Sequence, residues 1–539
     1  MTSGWRHRRR GVRAACVATA ILVSLVWVYR ASQAEAAPAY AFIGTGDAAA
    51  RTGALSGEVR IDQAPGALAV RADGVIAFTS DADGRAYWSE RGRLTRLSMP
   101  ATVEMHLDVA FARDGALYVS TCDGFGDDGR VGVPPAVWKI GPGRRPERFA
   151  GRPGRPGTAG DGGPATAARL ECPTAIDAQA DGGLLIADSG ANRIRRVGPD
   201  GVIRTMAGNG REASDGDGGP AASASVQPLD VAALPGGGFA IADLGPNALD
   251  AMGVKTDEKS IVRVVDAAGT ITTRSQAHVS RIAAEPSGAL LMTHSGRQDV
   301  RRLEANGTVA TVVDSRRETL GMPTRIPIAG DPFGNDQHDP YDAAAFPDGG
   351  VLYAGSLNDA TVNYVPPTSP SLLAVALRPA TRRPARRLSL ALRTTLAARI
   401  HVGVWRRGRR AASATALVPG GDATVPVPQT LQPGLYNVRV RAEGAGQLAA
   451  ARADVLVGGR LPVSFARSFI RSRQELFRVF NDAPRARVRC RRIASRRVDC
   501  GIVQRRRCSA VATIRVQRDG TLAVAQYDGG HRRRCRFRR

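Results

Sequence analysis

The feature of the chain that most restricts its fold is a short pattern that occurs six times between residues 67 and 355. Each copy has an apolar run, a turn containing glycine and a second apolar run. The alternation of apolar residues around Asp-Gly, Gly-Gly or Ser-Gly turns predicts a β-hairpin in every copy. The copies are ALAVRADGVIAFTS (67–80), DVAFARDGALYVST (108–121), AIDAQADGGLLIAD (175–188), DVAALPGGGFAIAD (230–243), RIAAEPSGALLMTH (281–294) and DAAAFPDGGVLYAG (342–355).

Repetition of one hairpin also limits how the hairpins assemble. A single hairpin cannot bury its apolar face, whereas four-stranded sheets arranged around an axis can. The expected fold class is therefore mainly β, with a six-bladed β-propeller over residues 40–365. Residues Tyr40–Ile43 are expected to add the strand that closes the ring.

Residues 148–250 carry a resemblance to a known family. Their runs AG-x-G, GDGGPA and IADSGANRIRRV resemble the NHL-repeat propellers of bacterial secreted and cell-surface proteins, and the other blades match less well. The resemblance implies a six-bladed propeller. The GDGGPA segments do not precede helices and are interpreted as linkers between blades. Asp188, Asp243, Asn192 and Arg193 fit loop-capping roles, in which an aspartate side chain accepts nearby backbone N–H groups.

Two smaller modules are expected after a stiff Pro-rich linker at 366–370. Residues 371–458 contain several short alternating strands, which favours an immunoglobulin-like β-sandwich. The run PGLYNVRVRAEG (433–444) resembles the penultimate strand of such bacterial modules, with Tyr436 at a corner.

Residues 460–539 are expected to form a small α+β disulfide module that resembles Cys-containing C-terminal modules of secreted actinobacterial proteins. An amphipathic helix is predicted first, followed by strands and an Asp-Gly hairpin. The apolar stripe of the helix consists of Phe465, Phe469, Leu476 and Phe480.

Residues 1–36 have the three-part layout of a secretory signal peptide. Five arginines within residues 1–13 precede a sixteen-residue apolar run, and Ala34-Glu35-Ala36 is an A-x-A cleavage pattern. The apolar run is shorter than the about 20 residues of a membrane-spanning helix. The chain is therefore expected to be secreted or at the cell surface, with a single N-terminal membrane anchor as the alternative.

Six cysteines remain after the predicted signal segment, and an even number in an exported chain predicts three disulfides. Cys122 follows the second strand of the second blade, and Cys172 precedes the first strand of the third. Both then lie on one face of adjacent blades, within the reach of a disulfide.

The other four cysteines lie in the last module. A hairpin in which paired residue numbers sum to 990 places Cys490 opposite Cys500. Cys508 and Cys535 are then left to pair with each other. The alternative connectivity joins Cys500 to Cys508 and Cys490 to Cys535.

The charge of the chain is divided unevenly. Of the net +26, residues 460–539 carry +18, residues 371–459 carry +11 and residues 1–39 carry +5, which leaves the propeller at −8. A basic tail in an exported protein favours polyanionic partners such as anionic wall polymers or lipid headgroups. A solvated arginine face, or a tail folded onto its own propeller, is the alternative. The arginines assigned to polyanion binding are Arg532, Arg533, Arg534, Arg536, Arg538 and Arg539.

Nucleic acid is disfavoured as a partner, because aromatic residues are only 5% of the chain and no nucleic-acid-binding motif is present. The sequence also lacks a G-x-S-x-G elbow, a P-loop, a dinucleotide fingerprint and an H-E-x-x-H motif. No catalytic residue and no cofactor are assigned. An exported binding or scaffold protein, whose propeller face binds a protein or glycan at the cell envelope, is therefore preferred to an enzyme.

Two residue clusters are nevertheless candidates for metal binding. His106, His278, His294 and His338 are all expected on one propeller face near the central mouth. Three histidines can bind zinc, and amidating lyases with NHL-like propellers hold a metal in this way. A metal-dependent lyase or hydrolase is the alternative function, although the irregular offsets of these histidines also fit surface residues.

The second cluster is the acidic segment GDPFGNDQHDPYD (330–342). It would offer oxygen ligands to Ca²⁺, although it lacks EF-hand spacing and its composition also suits turns. The candidate ligands are Asp331, Asp336, Asp339 and Asp342.

Overall fold

A computed structural model shows a chain that is built almost entirely of β-strands. The structure describes residues 40–43, 48–49, 53–56, 59–60, 65–80, 85–98, 106–122, 135–141, 145–152, 156–245, 259–276, 278–294, 299–314, 328–329, 342–355, 361–377, 387–472, 487–504, 507–516 and 522–528. The predicted signal segment lies outside these residues. Among the helices within them, none has the length and apolarity that a membrane crossing requires.

Residues 40–365 form six four-stranded antiparallel sheets, which confirms the predicted propeller. Three short strands come first: β1 (Tyr40–Ile43), β2 (Ala48–Ala49) and β3 (Val59–Arg60). The strands of blades one to three, from the axis outward, are β4 (Pro65–Val70), β5 (Ile76–Ser80), β6 (Arg85–Glu90), β7 (Arg93–Arg96); β8 (His106–Phe111), β9 (Leu117–Thr121), β10 (Ala136–Ile140), β11 (Glu147–Ala150); β12 (Pro173–Ala178), β13 (Leu184–Asp188), β14 (Arg193–Val197) and β15 (Ile203–Ala207).

Blades four to six continue the same pattern. Blade four has β16 (Pro228–Ala233), β17 (Phe239–Asp243), β18 (Ile261–Val265) and β19 (Ile271–Ser275), and blade five has β20 (Arg281–Ala284), β21 (Leu290–Thr293), β22 (Asp299–Leu303) and β23 (Val309–Asp314). Blade six has β25 (Asp342–Ala345), β26 (Val351–Ala354) and β27 (Val362–Val365). The short strand β24 (Ile328–Ala329) lies between blades five and six in the sequence. Short 3₁₀ turns in the described part of the propeller include Ala165–Ala167, Ser189–Ala191 and Ala221–Ser223.

The ring is closed by the first strand of the chain. β1 pairs antiparallel with β27, with Tyr40 opposite Tyr364, so it forms the outer strand of the sixth blade. The inner strands contact one another in chain order, and β25 contacts β4. The six predicted hairpins are therefore the two inner strands of the six blades, and the predicted closure is confirmed.

The GDGGPA segments fill the gaps between neighbouring blades, as interpreted from the sequence. The backbone N–H of Ala165 donates to Gly201 O of blade three at 2.9 Å, while Ala165 O accepts from Gly151 N beside blade two at 3.0 Å. At Gly160, φ is +115° and a Cβ atom would lie 2.7 Å from Ala168 Cα, so this tight turn requires glycine.

Residues 371–458 form two sheets that share one apolar core. One sheet has the order β28-β29-β32 and the other has the order β31-β30-β33-β34. The hydroxyl of buried Tyr436 donates to Gln432 O at 2.7 Å, as expected for a tyrosine at a corner. The immunoglobulin-like assignment stays a prediction. The strands are β28 (Val375–Leu377), β29 (Arg387–Thr394), β30 (Ala398–Arg406), β31 (Arg409–Val418), β32 (Gly421–Thr430), β33 (Gly434–Gly444) and β34 (Gln447–Val457).

The segment that enters the sandwich is shared with the propeller. Leu372, Ala374 and Ala376 lie in the core cluster of the first and last blades. Leu373 and Val375, which alternate with them, lie in the sandwich core. Both faces of this segment are therefore buried, and the two domains are joined by packing as well as by the 366–370 linker.

The last module is α+β, as predicted. Its described residues form the helix α1 (Val463–Ser472) and the strands β35 (Arg487–Ala494), β36 (Arg497–Gln504), β37 (Arg507–Val516) and β38 (Leu522–Asp528). Phe465 packs on the module core, whereas the side chains of Phe469, Leu476 and Phe480 are outside the described residues. β24 of the propeller pairs with β38, with Ile328 opposite Gln526, so the tail does contact its own propeller.

Two of the three predicted disulfides are confirmed. Cys122 and Cys172 are bonded with Cα atoms 5.0 Å apart, and Cys490 and Cys500 are bonded with Cα atoms 3.9 Å apart. The second pair has the predicted register. Cys535 lies outside the described residues, so its bond to Cys508 stays a prediction.

Candidate functional site

The inner strands place four charged side chains around the propeller axis. They occupy the first position of the hairpin pattern in blades two, four, five and six, and blades one and three have alanine there. Asp108, Asp230 and Asp342 are buried, and the side chain of Arg281 is 17% exposed. We call these four residues the axial ring.

Each aspartate of the axial ring joins two blades. Its Oδ1 accepts the backbone N–H of the next residue, and its Oδ2 accepts an N–H from the inner strand of the following blade. The Oδ2 bonds are Asp108 to Ile176 N, Asp230 to Ile282 N and Asp342 to Leu68 N, all at 2.7 Å. These carboxylates therefore link neighbouring blades by hydrogen bonds. Without them, the backbone N–H groups that they accept would be buried without a partner.

Burial dominates the electrostatics of the ring. It raises the pKa of Asp230 to about 7, against the opposing effect of the Arg281 guanidinium and the Ile282 N–H. It also raises the pKa of Asp108 well above the usual value, and the neighbouring carboxylates of Asp230 and Asp342 add to that rise. Arg281 Nη1 lies 3.9 Å from Asp108 Oδ1, which belongs to the opposite blade. The side chains of Arg281 and Asp108 therefore meet across the propeller axis.

Two of the four candidate zinc ligands lie together in blade five, where His278 precedes β20 and the buried His294 follows β21. The rings of His278 and His294 are edge-to-face with centroids 6.0 Å apart. The backbone oxygen of His278 accepts a hydrogen bond from Arg301 Nη2 at 2.5 Å. His106 begins β8 at the same end of its blade, but its side chain and all of His338 lie outside the described residues. Within the residues that are described, no three His, Cys, Asp or Glu side chains form a metal-binding group.

Only one of the four candidate calcium ligands, Asp342, lies among the described residues. Asp342 belongs to the axial ring, where both of its carboxylate oxygens accept backbone N–H groups. Asp331, Asp336 and Asp339 lie outside the described residues, as does the C-terminal arginine cluster 532–539. The calcium and polyanion assignments therefore stay predictions.

Sequence reasoning missed a pair of buried arginines in the third strands of blades three and four. Arg263 Nη1 lies 3.3 Å from Asp243 Oδ2, and its Nη2 lies 2.6 Å from Asp217 Oδ1 in the GDGGPA linker. Arg195, at the same position in blade three, lies 2.5 Å from linker residue Asp161. The sequence did contain a signal for this pair, because each arginine lies in the strand that follows a loop-capping aspartate, Asp188 for Arg195 and Asp243 for Arg263.

The loop-capping aspartates themselves behave as expected. Asp188 Oδ1 accepts the N–H groups of Glu171 and Cys172 at 2.9 and 2.8 Å, and Asp243 Oδ1 accepts Gln227 N at 3.0 Å. Asp188 Oδ2 has no hydrogen-bond partner in the described part of the chain. Burial raises the pKa of Asp188 to about 6, although its two N–H partners act in the opposite direction.

The fold places this protein in the class of six-bladed β-propellers, here followed by β-rich modules. Similar solved structures include virginiamycin B lyase from Staphylococcus aureus (12% identity, 57% of this chain and 85% of that one, TM-score 0.34). They also include a gluconolactonase from Xanthomonas campestris (13% identity, 61% and 97%, TM-score 0.36) and a calcium-binding regucalcin from Agrobacterium tumefaciens (12% identity, 59% and 95%, TM-score 0.33). No family model and no curated protein matches the sequence. At these values the likenesses concern the propeller fold alone.

Proposed function

We propose that the chain is an exported binding protein of NHL-repeat type, whose propeller face holds a protein or glycan at the cell envelope. The axial ring is the observation that supports binding over catalysis. Its three buried aspartates hold the blades together through both of their oxygens. In this proposal the ring makes the propeller a rigid scaffold, and the loops at the rim supply the contacts.

The basic C-terminal modules give the proposal its second part. Residues 371–459 and 460–539 carry net charges of +11 and +18, against −8 for the propeller, and we assign polyanion binding to the six arginines at 532–539. Deleting residues 460–539 is a poor test, because Leu456 of the sandwich shares a core with Leu461, Val488 and Ile514 of the last module. Charge substitution in the full chain avoids this problem.

The test measures retention of the full chain on purified cell-envelope material as salt is raised. Replacing the six arginines at 532–539 by glutamine is expected to remove the salt-sensitive part of retention, because each neutralised anion steepens the dependence on salt. The salt-resistant part, assigned to the propeller, is expected to remain. The control variant has the same charge loss on the exposed propeller surface, at Arg85, Arg91, Arg93, Arg113, Arg145 and Arg204. Equal losses in the two variants, or no retention by the native chain, would contradict the proposal.

The pairing of His278 with His294 keeps a metal-dependent lyase or hydrolase as the second candidate function. Metal analysis of the purified full chain separates the two candidates. Under the binding proposal, zinc is expected to be substoichiometric and the same in the native chain and in His278→Ala. One equivalent of zinc that His278→Ala removes and His401→Ala, on the sandwich, retains would favour the enzyme instead.

A further inference from the structure

The outer face of the sandwich carries arginines that are placed differently from those of the propeller. On the sheet β31-β30-β33-β34, His401 lies opposite Arg441, Arg399 lies opposite Glu443, and Gly403 lies opposite Arg439. The side chains of Arg399, Arg439 and Arg441 are exposed and belong to the same face. We call these three residues the outer-sheet arginines.

Two of these arginines have no acidic partner among the described residues. Neither the guanidinium of Arg399 nor that of Arg439 has a carboxylate within 4.0 Å in that part of the chain. Propeller arginines commonly do have such a partner; examples are Arg71 with Asp73 at 2.7 Å, Arg204 with Asp200 at 3.2 Å and Arg302 with Glu285 at 2.6 Å. Arg399 and Arg439 therefore offer cationic groups to a partner from outside the chain.

Arg439 is also held in place before any ligand arrives. Its guanidinium carbon lies 5.5 Å from the centroid of the Trp405 indole, and its Nε donates to Asn437 Oδ1 at 3.0 Å. The Nε1 edge of the indole lies over Gly403, where a Cβ atom would lie only 2.8 Å from Trp405 Nε1. A cation that is already ordered loses less side-chain entropy on binding, which increases its contribution to affinity.

The spacing of the three arginines determines the distance between anionic groups that a ligand needs. Same-face residues two apart on one strand, such as Arg439 and Arg441, are about 6.8 Å apart, and diagonal neighbours such as Arg441 and Arg399 are about 7–8 Å apart. An extended chain covers about 3.5 Å for every three backbone bonds, so a repeat of six bonds covers about 7 Å. A polymer with one phosphate diester per six-bond repeat would meet one arginine at each step.

We infer that the outer-sheet arginines form a second polyanion site, which binds a linear alditol phosphate polymer with one phosphate diester per repeat. The arginine fork matches the geometry of phosphate oxygens. Single-stranded nucleic acid fits less well, because the face of Trp405 that would stack on a base is covered by Arg439. The site uses none of the arginines at 532–539, so it deepens the proposed polyanion function without depending on the tail.

The experiment titrates the full, oxidised chain with poly(glycerol phosphate). The triple variant Arg399→Gln, Arg439→Gln and Arg441→Gln is expected to bind roughly a hundredfold more weakly, at about 1 kcal/mol for each arginine beside an anionic surface. The control removes the same charge from the tip of the β30–β31 hairpin of the same sheet, at Arg407, Arg409 and Arg410, and is expected to lose less than about a third as much binding energy. Trp405→Leu is expected to weaken binding severalfold by releasing Arg439.

Equal losses in the two triple variants would overturn the site, because the effect would then come from net charge alone. Tighter binding of single-stranded DNA, or of phosphatidylglycerol vesicles, than of the polymer would overturn the assigned ligand. If the triple variant does not show the native circular dichroism and melting, the three single variants are compared, with about fivefold expected for each. The variant at 532–539 separates this site from the tail: a loss there with none in the outer-sheet variant would leave the proposed function standing and refute this site.

Discussion

Replacing Arg263 by methionine is expected to lower the free energy of unfolding by about 3–5 kcal/mol. Arg263 and Asp243 have side chains that are 1% and 0% exposed, and their closest charged atoms are 3.3 Å apart. Without the guanidinium, the Asp243 carboxylate stays buried with no counterion. Arg263 Nη1 and Nη2 also donate to the carbonyls of Ser225 and Asp215, each at 2.8 Å, and those carbonyls lose their donors too. Urea unfolding of the full, oxidised chain measures the change.

Arg195→Met provides the matched control for this prediction. Arg195 is equally buried and occupies the same place in blade three, but its ion-pair partner Asp161 is 47% exposed. Water can therefore take over the solvation of Asp161, and a loss of about 1–3 kcal/mol is expected. Equal losses at Arg195 and Arg263 would show that cavity formation, rather than the buried carboxylate, sets the cost. Adding Asp243→Asn to Arg263→Met should recover part of the lost stability.

The second large effect is a fall in stability as the pH is raised from about 4 to 8. Burial raises the pKa of Asp188 to about 6 and that of Asp230 to about 7, from an ordinary value of 3.8. Between these values the folded chain binds more protons than the unfolded chain, so the free energy of unfolding falls with rising pH and levels off above about 7. For Asp188 alone the change is about 3 kcal/mol.

Asp188→Asn tests the origin of this pH dependence. The amide has the shape of the protonated acid and does not ionise, so the variant is expected to lose about 3 kcal/mol of the difference between pH 4 and pH 8. Its stability at pH 8 should exceed that of the native chain. The exposed Asp266→Asn variant, in a turn of blade four, controls for the chemical change itself. An unchanged pH profile in Asp188→Asn would mean that Asp188 is ionised throughout this range.

Much of the fold could be predicted because its signals are local. Each hairpin has its own alternation and its own glycine turn, and the register that joins Cys490 to Cys500 follows from one short connection. Ring closure by β1 followed from the repeat, because a four-stranded last blade needs one strand from elsewhere. Predictions of this kind need only a few neighbouring residues or a count of strands.

The axial ring and the buried arginines could not be predicted in the same way. In any single copy, Asp108 or Asp230 is merely a polar residue near a strand end, and only the closed ring brings these carboxylates to one axis. Arg195 and Arg263 belong to third strands whose outer side resembles solvent-exposed surface until the GDGGPA linkers cover it. The burial of Leu372 and Ala374 against the propeller likewise depends on how two complete domains pack.

The closing strand sets the order in which the ring can be completed. Tyr40 pairs with Tyr364, so the first strand of the propeller must wait for its partner until the sixth blade has been synthesised. The entropy cost of closing so long a loop grows only slowly with its length, by about 0.6 kcal/mol per doubling, whereas contacts distant in sequence slow folding strongly. Until then β1 is an edge strand without a partner, open to the sixth blade of a second chain whose own ring has not yet closed. Delay between synthesis of the first and last blades is therefore the period in which strand exchange between molecules competes with closure of the ring.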